Sequence, residues 1–250
     1  MTPSYPETVF AENGLARFSP LLPRLSALAE ILLAENETVN LTALRTPEAV
    51  WLLHFADSLL FADLAQETGA KRAVDVGCGG GFPLLPLALA LPETAFSGLD
   101  ATKKKLAFVE RAASALGLPN VATLPGRAEE LSRREELRDS FDLAVARAVA
   151  PLSVLAEYCL PFLRIGGFFL AYKGPEAEAE LREAKPILTA LGARAEDLVL
   201  RRLTDPAKPD KENVRALVVV KKLHKTPPAY PRRNSEIKAA QRRAASAARQ

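Results

Sequence analysis

Between residues 71 and 175 the spacing of apolar residues switches repeatedly between two periods. KRAVDVG, TAFSGLD, NVATLPG, FDLAVAR and FFLAYKG are short apolar runs with strand character. Between them FPLLPLALAL, TKKKLAFVERAASALGL, the polar RAEELSRREEL and PLSVLAEYCLPFL read as helices. Strands separated by connections of helix length pair in parallel, and each helix then covers one face of the sheet. The segment therefore predicts an α/β fold: an open, mostly parallel sheet with helices on both faces. After the helix PEAEAELREAKPILTALG, the runs DLVLRRLT and VRALVVVKKL are spaced as a hairpin at the sheet edge, joined by the turn-rich DPAKPDKEN.

Before this core the chain reads as helices. Leu25, Leu28, Ile31 and Leu32 share a helical stripe, and Thr46-Pro47-Glu48 is a hydroxyl cap followed by a proline at the first helical position. Three parts are expected: a helical segment over 1–65 packed on the main domain, the α/β domain over 66–223, and a basic tail over 224–250 with no apolar stripe to bury.

The stretch VDVGCGGGFP, 74–83, follows the first strand of the core with four glycines in ten positions. A dinucleotide loop would need a glycine at the third motif position, where this chain has Phe82. An acid, Asp75, instead precedes Gly77 by two residues, and a second acid, Asp100, closes the next strand. This D-x-G-x-G-x-G loop with a strand-end acid resembles the S-adenosylmethionine site of class I methyltransferases, a Rossmann-like fold of about seven strands. Bare backbone lets the cofactor's amino-acid half approach, and the two acids match its ammonium and its ribose hydroxyls.

Composition narrows the chemistry. Two cysteines, Cys78 and Cys159, and two histidines, His54 and His224, offer neither a disulfide framework nor a metal-site spacing, so no metal is expected. No apolar run has membrane-spanning length and the N-terminus has no secretory core, which makes the cytoplasm the expected location. Residues 221–250 hold nine Lys/Arg against one acid, a net +8, while the preceding 220 residues hold 24 against 29, a net −5. A mildly acidic body with a basic tail fits an anionic partner, or a solvated terminus. After the fourth strand the chain reads Ala146-Arg147-Ala148-Val149-Ala150-Pro151, which lacks the Asp/Asn-Pro-Pro-aromatic sequence of amino-group methyltransferases. No activated cysteine or general base stands nearby. Guanine N7 carries an unprotonated lone pair and needs neither, so positioning suffices for its methylation.

Six stretches, in order, then resemble one family: NLTALR at 40–45, HFADSLL at 54–60, VDVGCGGGFPLLPLA at 74–88, ARAVAPL at 146–152, YKG at 172–174 and YPRR at 230–233. It is the family of bacterial small-subunit rRNA guanine-N7 methyltransferases, also called ribosomal RNA small subunit methyltransferase G or glucose-inhibited division protein B. The resemblance spans about 30–235. It implies a transferase that uses S-adenosylmethionine to place a methyl on N7 of a guanine in 16S rRNA, acting in rRNA processing as a monomer on RNA or the small subunit. It further implies that Asp75, Gly77, Gly79, Phe82, Asp100, Ala101, Thr102, Ala128, Glu129 and Arg147 border the cofactor. Arg147 and Asn40 would be catalytic, and Asn40, His54, Asp57, Lys173, Arg232 and Arg233 would meet RNA. The residues alone also admit a methyltransferase for a small molecule or a protein, or a non-catalytic RNA-binding assembly factor.

Overall fold

The computed structural model describes residues 3–211 and 213–247. Four helical pieces open the chain: α1 (Tyr5–Glu12), a 3-10 turn (Ala16–Leu21), α2 (Leu22–Val39), and a broken helix that starts as α3 (Pro47–Val50). That helix passes through a π-turn (Trp51–Ala56) into α4 (Asp57–Leu59), and α5 (Ala62–Glu67) follows. The core then alternates: β1 (Arg72–Val76), α6 (Leu84–Ala90), β2 (Ala95–Asp100), α7 (Lys103–Ala115), β3 (Val121–Pro125), α8 (Ala128–Leu131), β4 (Phe141–Arg147), α9 (Leu152–Cys159), β5 (Leu163–Lys173), α10 (Ala177–Ala190), β6 (Ala193–Arg202) and β7 (Val214–Lys222). A final helix, α11, covers Asn234–Ala247.

The seven strands form one sheet in the order β3-β2-β1-β4-β5-β7-β6. β1 to β5 pair in parallel, and β7 enters antiparallel between β5 and β6. The hairpin is therefore present at the edge, with β6 outermost. This insertion brings the start of β7 to the same end of the sheet as the carboxyl ends of β4 and β5: Arg147 pairs with Tyr172, and Lys173 with Ala216.

Central strands bury both faces, which is why they read as continuous apolar runs. Leu143 and Val145 of β4 join one core, shared with α6, α7 and the N-terminal helices, while Ala144 and Ala146 join the other, under α8 to α10. The N-terminal segment is seated by Phe10 edge-on to Trp51 (5.9 Å) and Trp51 edge-on to Phe55 (4.9 Å). The same alternation turns Asp75 toward the α6 side, and the order reversal between β1 and β4 opens the crevice where ligands of such sheets bind.

RAEELSRREEL forms only one helical turn, α8, before dissolving into turns; its apolar residues Ala128, Leu131 and Leu137 are buried. The tail departs from its expected lack of an apolar anchor. Ile237 of α11 is 2% exposed, packed against α9. Arg138 donates to the carbonyls of Thr226 (2.9 Å) and Tyr230 (3.1 Å), Arg133 to that of Pro231, and Arg232 to the buried Glu157. Residues 248–250 of the Ala/Arg-rich tail lie outside the described residues.

Ile237→Ala should remove about 2 kcal/mol of the docking of α11. Tryptic cleavage at Lys238 should accelerate while the unfolding of the main body stays in place; an unchanged cleavage rate would show that the isoleucine does not hold the tail.

Candidate functional site

The glycine loop forms the floor of the crevice. Gly77 and Gly79 adopt left-handed backbone (φ +77° and +54°), which glycine reaches without penalty. Their amides are used within the loop: Gly77 N–H donates to Leu99 O (2.8 Å) and Gly79 N–H to Asp100 Oδ2 (3.1 Å). Asp100 also accepts from Thr102 N–H through Oδ1 (2.7 Å), so it braces both the loop and the start of α7 while remaining half-buried. Ala101 and Thr102 are exposed beside it, and Ala128 and Glu129, beyond the end of β3, are buried. Asp75 is fully buried: Oδ2 accepts from Leu84 N–H at 3.0 Å, and Oδ1 has no partner among the described residues. Burial, the largest influence, raises its carboxyl to about 7.

The carboxyl end of β4 supplies the second half of the site. Arg147 Nη1 donates to Leu53 O (3.0 Å) and to Asp57 Oδ2 (2.9 Å), and Nη2 contacts His54 Nδ1 at 3.0 Å. The π-turn makes the first bond possible. Asp57 N–H reaches Leu52 O and His54 O, bypassing Leu53, whose carbonyl turns to the arginine. A guanidinium has only donors, so His54 Nδ1 is the acceptor; its proton sits on Nε2, which donates to Thr42 Oγ1 at 2.8 Å. The imidazole stacks on Phe82 of the glycine loop (4.1 Å between centroids, 3° between planes). Burial, reinforced by Arg147, lowers the His54 pKa from 6.5 to about 3, so the ring is neutral at ordinary pH.

Several expected RNA residues face inward. Asp57 sits between two arginines, its Oδ1 accepting from Arg215 Nε at 2.7 Å. Lys173 Nζ donates to Ala150 O (2.7 Å) and pairs with Glu180 (2.6 Å), which in turn accepts from Leu152 N–H. These bonds tether the segment after β4, whose Ala148 has left-handed backbone (φ +56°). Val149 in that segment lies over Gly77, 2.7 Å from where a Cβ would stand, so any side chain at position 77 would press on it. Arg232, expected at RNA, spends its guanidinium on Glu157. Arg233 and Asn40 are exposed. Asn40 terminates α2 in left-handed backbone and contacts Arg45 at 3.4 Å, with no contact to Arg147; the loop it opens reaches the site through Leu41, packed on Gly80, and Thr42.

Between β4, β5, the start of β7 and the helical segment lies a cavity of about 360 Å³ lined by Asp57, Arg147, Tyr172, Lys173, Glu180 and Arg215, among others. Arg215 was not among the residues read from the sequence, where it is one basic residue in VRALVVVKKL; only the antiparallel entry of β7 brings it here. Cys78 and Cys159 are buried, which pushes both thiols up and away from reactive thiolate. Among the described residues no cluster of His, Cys, Asp and Glu is arranged to hold a metal, and no helix is long and apolar enough to cross a membrane.

A family model described as rRNA small subunit methyltransferase G matches residues 21–204. The chain is 44% identical over 236 residues to a protein named ribosomal RNA small subunit methyltransferase G from Deinococcus deserti, covering 93% of this chain and 94% of the relative. It is 39% identical over 222 residues to the protein of that name from Moorella thermoacetica, covering 89% and 90%. Among solved structures, cofactor-bound Rv0187 from MTB superposes with a TM-score of 0.58 at 18% identity, over 90% of this chain and 100% of the other. An O-methyltransferase from Bacillus cereus in complex with SAH gives 0.54 at 18% identity, over 78% and 91%. Both share the fold.

The imidazole yields a prediction of its own. NMR titration should find His54 neutral with its proton on Nε2 down to at least pH 5; charging near 6.5 would break the arrangement. Because the native pKa lies below the unfolded value, unfolding takes up a proton. This group therefore removes stability as pH falls from 6.5 toward 3, by up to about 1.4 kcal/mol per pH unit, and removes none above that window.

Proposed function

This chain belongs to the rRNA small subunit methyltransferase G family, and from that membership we propose that it transfers a methyl group from S-adenosylmethionine to N7 of a guanine in 16S rRNA. The cytoplasm, where ribosomal subunits assemble, would be its place of work, and a single chain carries every residue the reading uses.

The residues fit the cofactor on two observations. The unpartnered, buried Oδ1 of Asp75 needs a donor, and the ammonium of the cofactor's amino-acid half supplies one. Asp100, with one bond on each oxygen, keeps lone pairs for ribose hydroxyls. Gly77, Gly79 and Phe82 would border the same half, Ala101, Thr102, Ala128 and Glu129 the nucleoside. When bound, the cofactor presents a methyl group on a sulfonium, open to attack by a lone pair.

The observation that carries the choice of N7 is the state of His54. It is the one imidazole in the site; its lone pair is occupied by Arg147 and its proton is directed at Thr42, so it accepts no proton from a substrate. Lys173 is tied to Glu180, and the buried cysteines are not thiolates. An exocyclic amine must shed a proton and a pyrimidine carbon requires a nucleophile. Guanine N7 requires neither. Arg147, held by three acceptors, then shapes the wall between cofactor crevice and cavity, leaving the chemistry to approach and alignment.

Two measurements test this. Labelled cofactor incubated with small subunits lacking the modification should place its label in 16S rRNA at a guanine that becomes sensitive to borohydride and aniline cleavage, the signature of N7 methylation. Label in an amine or a ribose oxygen would overturn the reading. Calorimetry should further show cofactor affinity weakening by up to about tenfold per unit as pH falls below 7, because a protonated Asp75 must ionise to meet the ammonium. Asp75→Asn should bind weakly with that dependence gone; a flat wild-type profile would place the ammonium elsewhere.

A further inference from the structure

Arg215 is assigned no role by the family resemblance, yet its side chain, 23% exposed, lines the cavity beside Arg147. Its guanidinium is fixed on two sides: Nε donates to Asp57 Oδ1 (2.7 Å) and Nη1 to Asn213 Oδ1 (2.5 Å). Nη2 has no acceptor among the described residues. Among the described residues the charges around the cavity leave one positive charge over, since Lys173 is matched by Glu180 whereas Asp57 answers both Arg147 and Arg215. A half-buried guanidinium held rigid, with one donor edge and one charge to spare, is a site for an anion with outward oxygens.

We propose that Arg215 is an RNA-binding residue, its Nη2 edge holding a backbone phosphate of the strand that delivers the target guanine to the cavity. The inference rests on the function proposed above and extends it. A phosphate fits better than the base. An arginine reading guanine commonly takes O6 and N7, and N7 must here stay free for the methyl group. Lysine would serve less well, because a single ammonium does not span Asp57, Asn213 and a third acceptor in one plane.

The test uses the full chain with unmodified small subunits as substrate and reads the salt dependence of KM. In Arg215→Gln the slope of log KM against log salt should fall by about 0.7, the loss of one phosphate contact on a single strand. Arg215→Lys should keep the slope while raising KM several-fold. Cofactor affinity by calorimetry should stay within twofold of wild type in both, and kcat should move less than KM. A merely structural role would leave the slope untouched, so an unchanged slope in Arg215→Gln overturns the proposal. Should the glutamine variant lose its fold, phenylglyoxal modification of the wild type decides: bound subunits should protect Arg215, and full reactivity in their presence overturns the proposal. Absence of any methyl transfer by wild type would instead strike the function itself, which separates the two failures.

Discussion

One buried carboxylate joins the helical N-terminal segment to the sheet. Asp57 leaves the π-turn and takes Arg147 from the end of β4 on one oxygen and Arg215 from the start of β7 on the other. Three elements distant in sequence meet there; Arg147 is further bonded to Leu53 O and His54 of the helical segment, and Arg215 to Asn213 beside its own strand. A charge this deep is tolerated only with partners, and removing one partner of a buried pair typically costs about 3–5 kcal/mol. The pairing thereby fixes the angle at which the helical segment caps the crevice, and with it the position of His54 over Phe82.

Much of the fold was legible because sheets and glycine turns are written locally. Apolar runs of strand length alternating with helical stripes identify β1 to β5, and the run at 71–77 contains the observed Arg72–Val76. Asp75, Gly77, Gly79 and Asp100 were legible for the same reason, since a bare loop flanked by acids is a backbone requirement. What a side chain touches across the sheet is not local. The resemblance assigns Lys173, Asp57 and Arg232 to RNA, and nothing local says that Glu180, Arg147 and Glu157 pair with them. Arg215 was invisible because nothing in a single strand says which end of the sheet it will enter from. The π-turn in WLLHFADSLL was equally hidden, as its apolar spacing also suits an ordinary helix.

Net charge carries the same lesson. The excess of +8 in 221–250 reads as a basic arm, yet part of it holds the protein together. Lys222 is fully buried, donating to Leu160 O at 2.7 Å and to Thr226, and Arg232 neutralises the buried Glu157. The chain between β7 and α11 is laid along α8 and α9 by arginines from the body, Arg133 and Arg138, which donate to its carbonyls. Charge paired in this way contributes to the fold, and Arg233 and Lys238 are among the basic residues that stay exposed and count toward a salt-sensitive surface.

On the proposed function an arginine beside the reacting base looks paradoxical, because N7 methylation leaves a cation. The charge accounting removes the difficulty. The methyl group leaves a sulfonium that is already cationic, so transfer moves one positive charge a short distance and creates none. Arg147, with its donors turned to Leu53 O, Asp57 and His54, offers little repulsion at the start that it does not also offer at the end. What a site must then supply is approach along one line, and rigid walls supply it. A neutral imidazole clamped between Phe82 and Arg147 is such a wall: had it been protonated, it would have added a positive charge beside a cationic methyl donor. On the proposed function, a ring that burial and Arg147 keep neutral adds no charge beside the sulfonium.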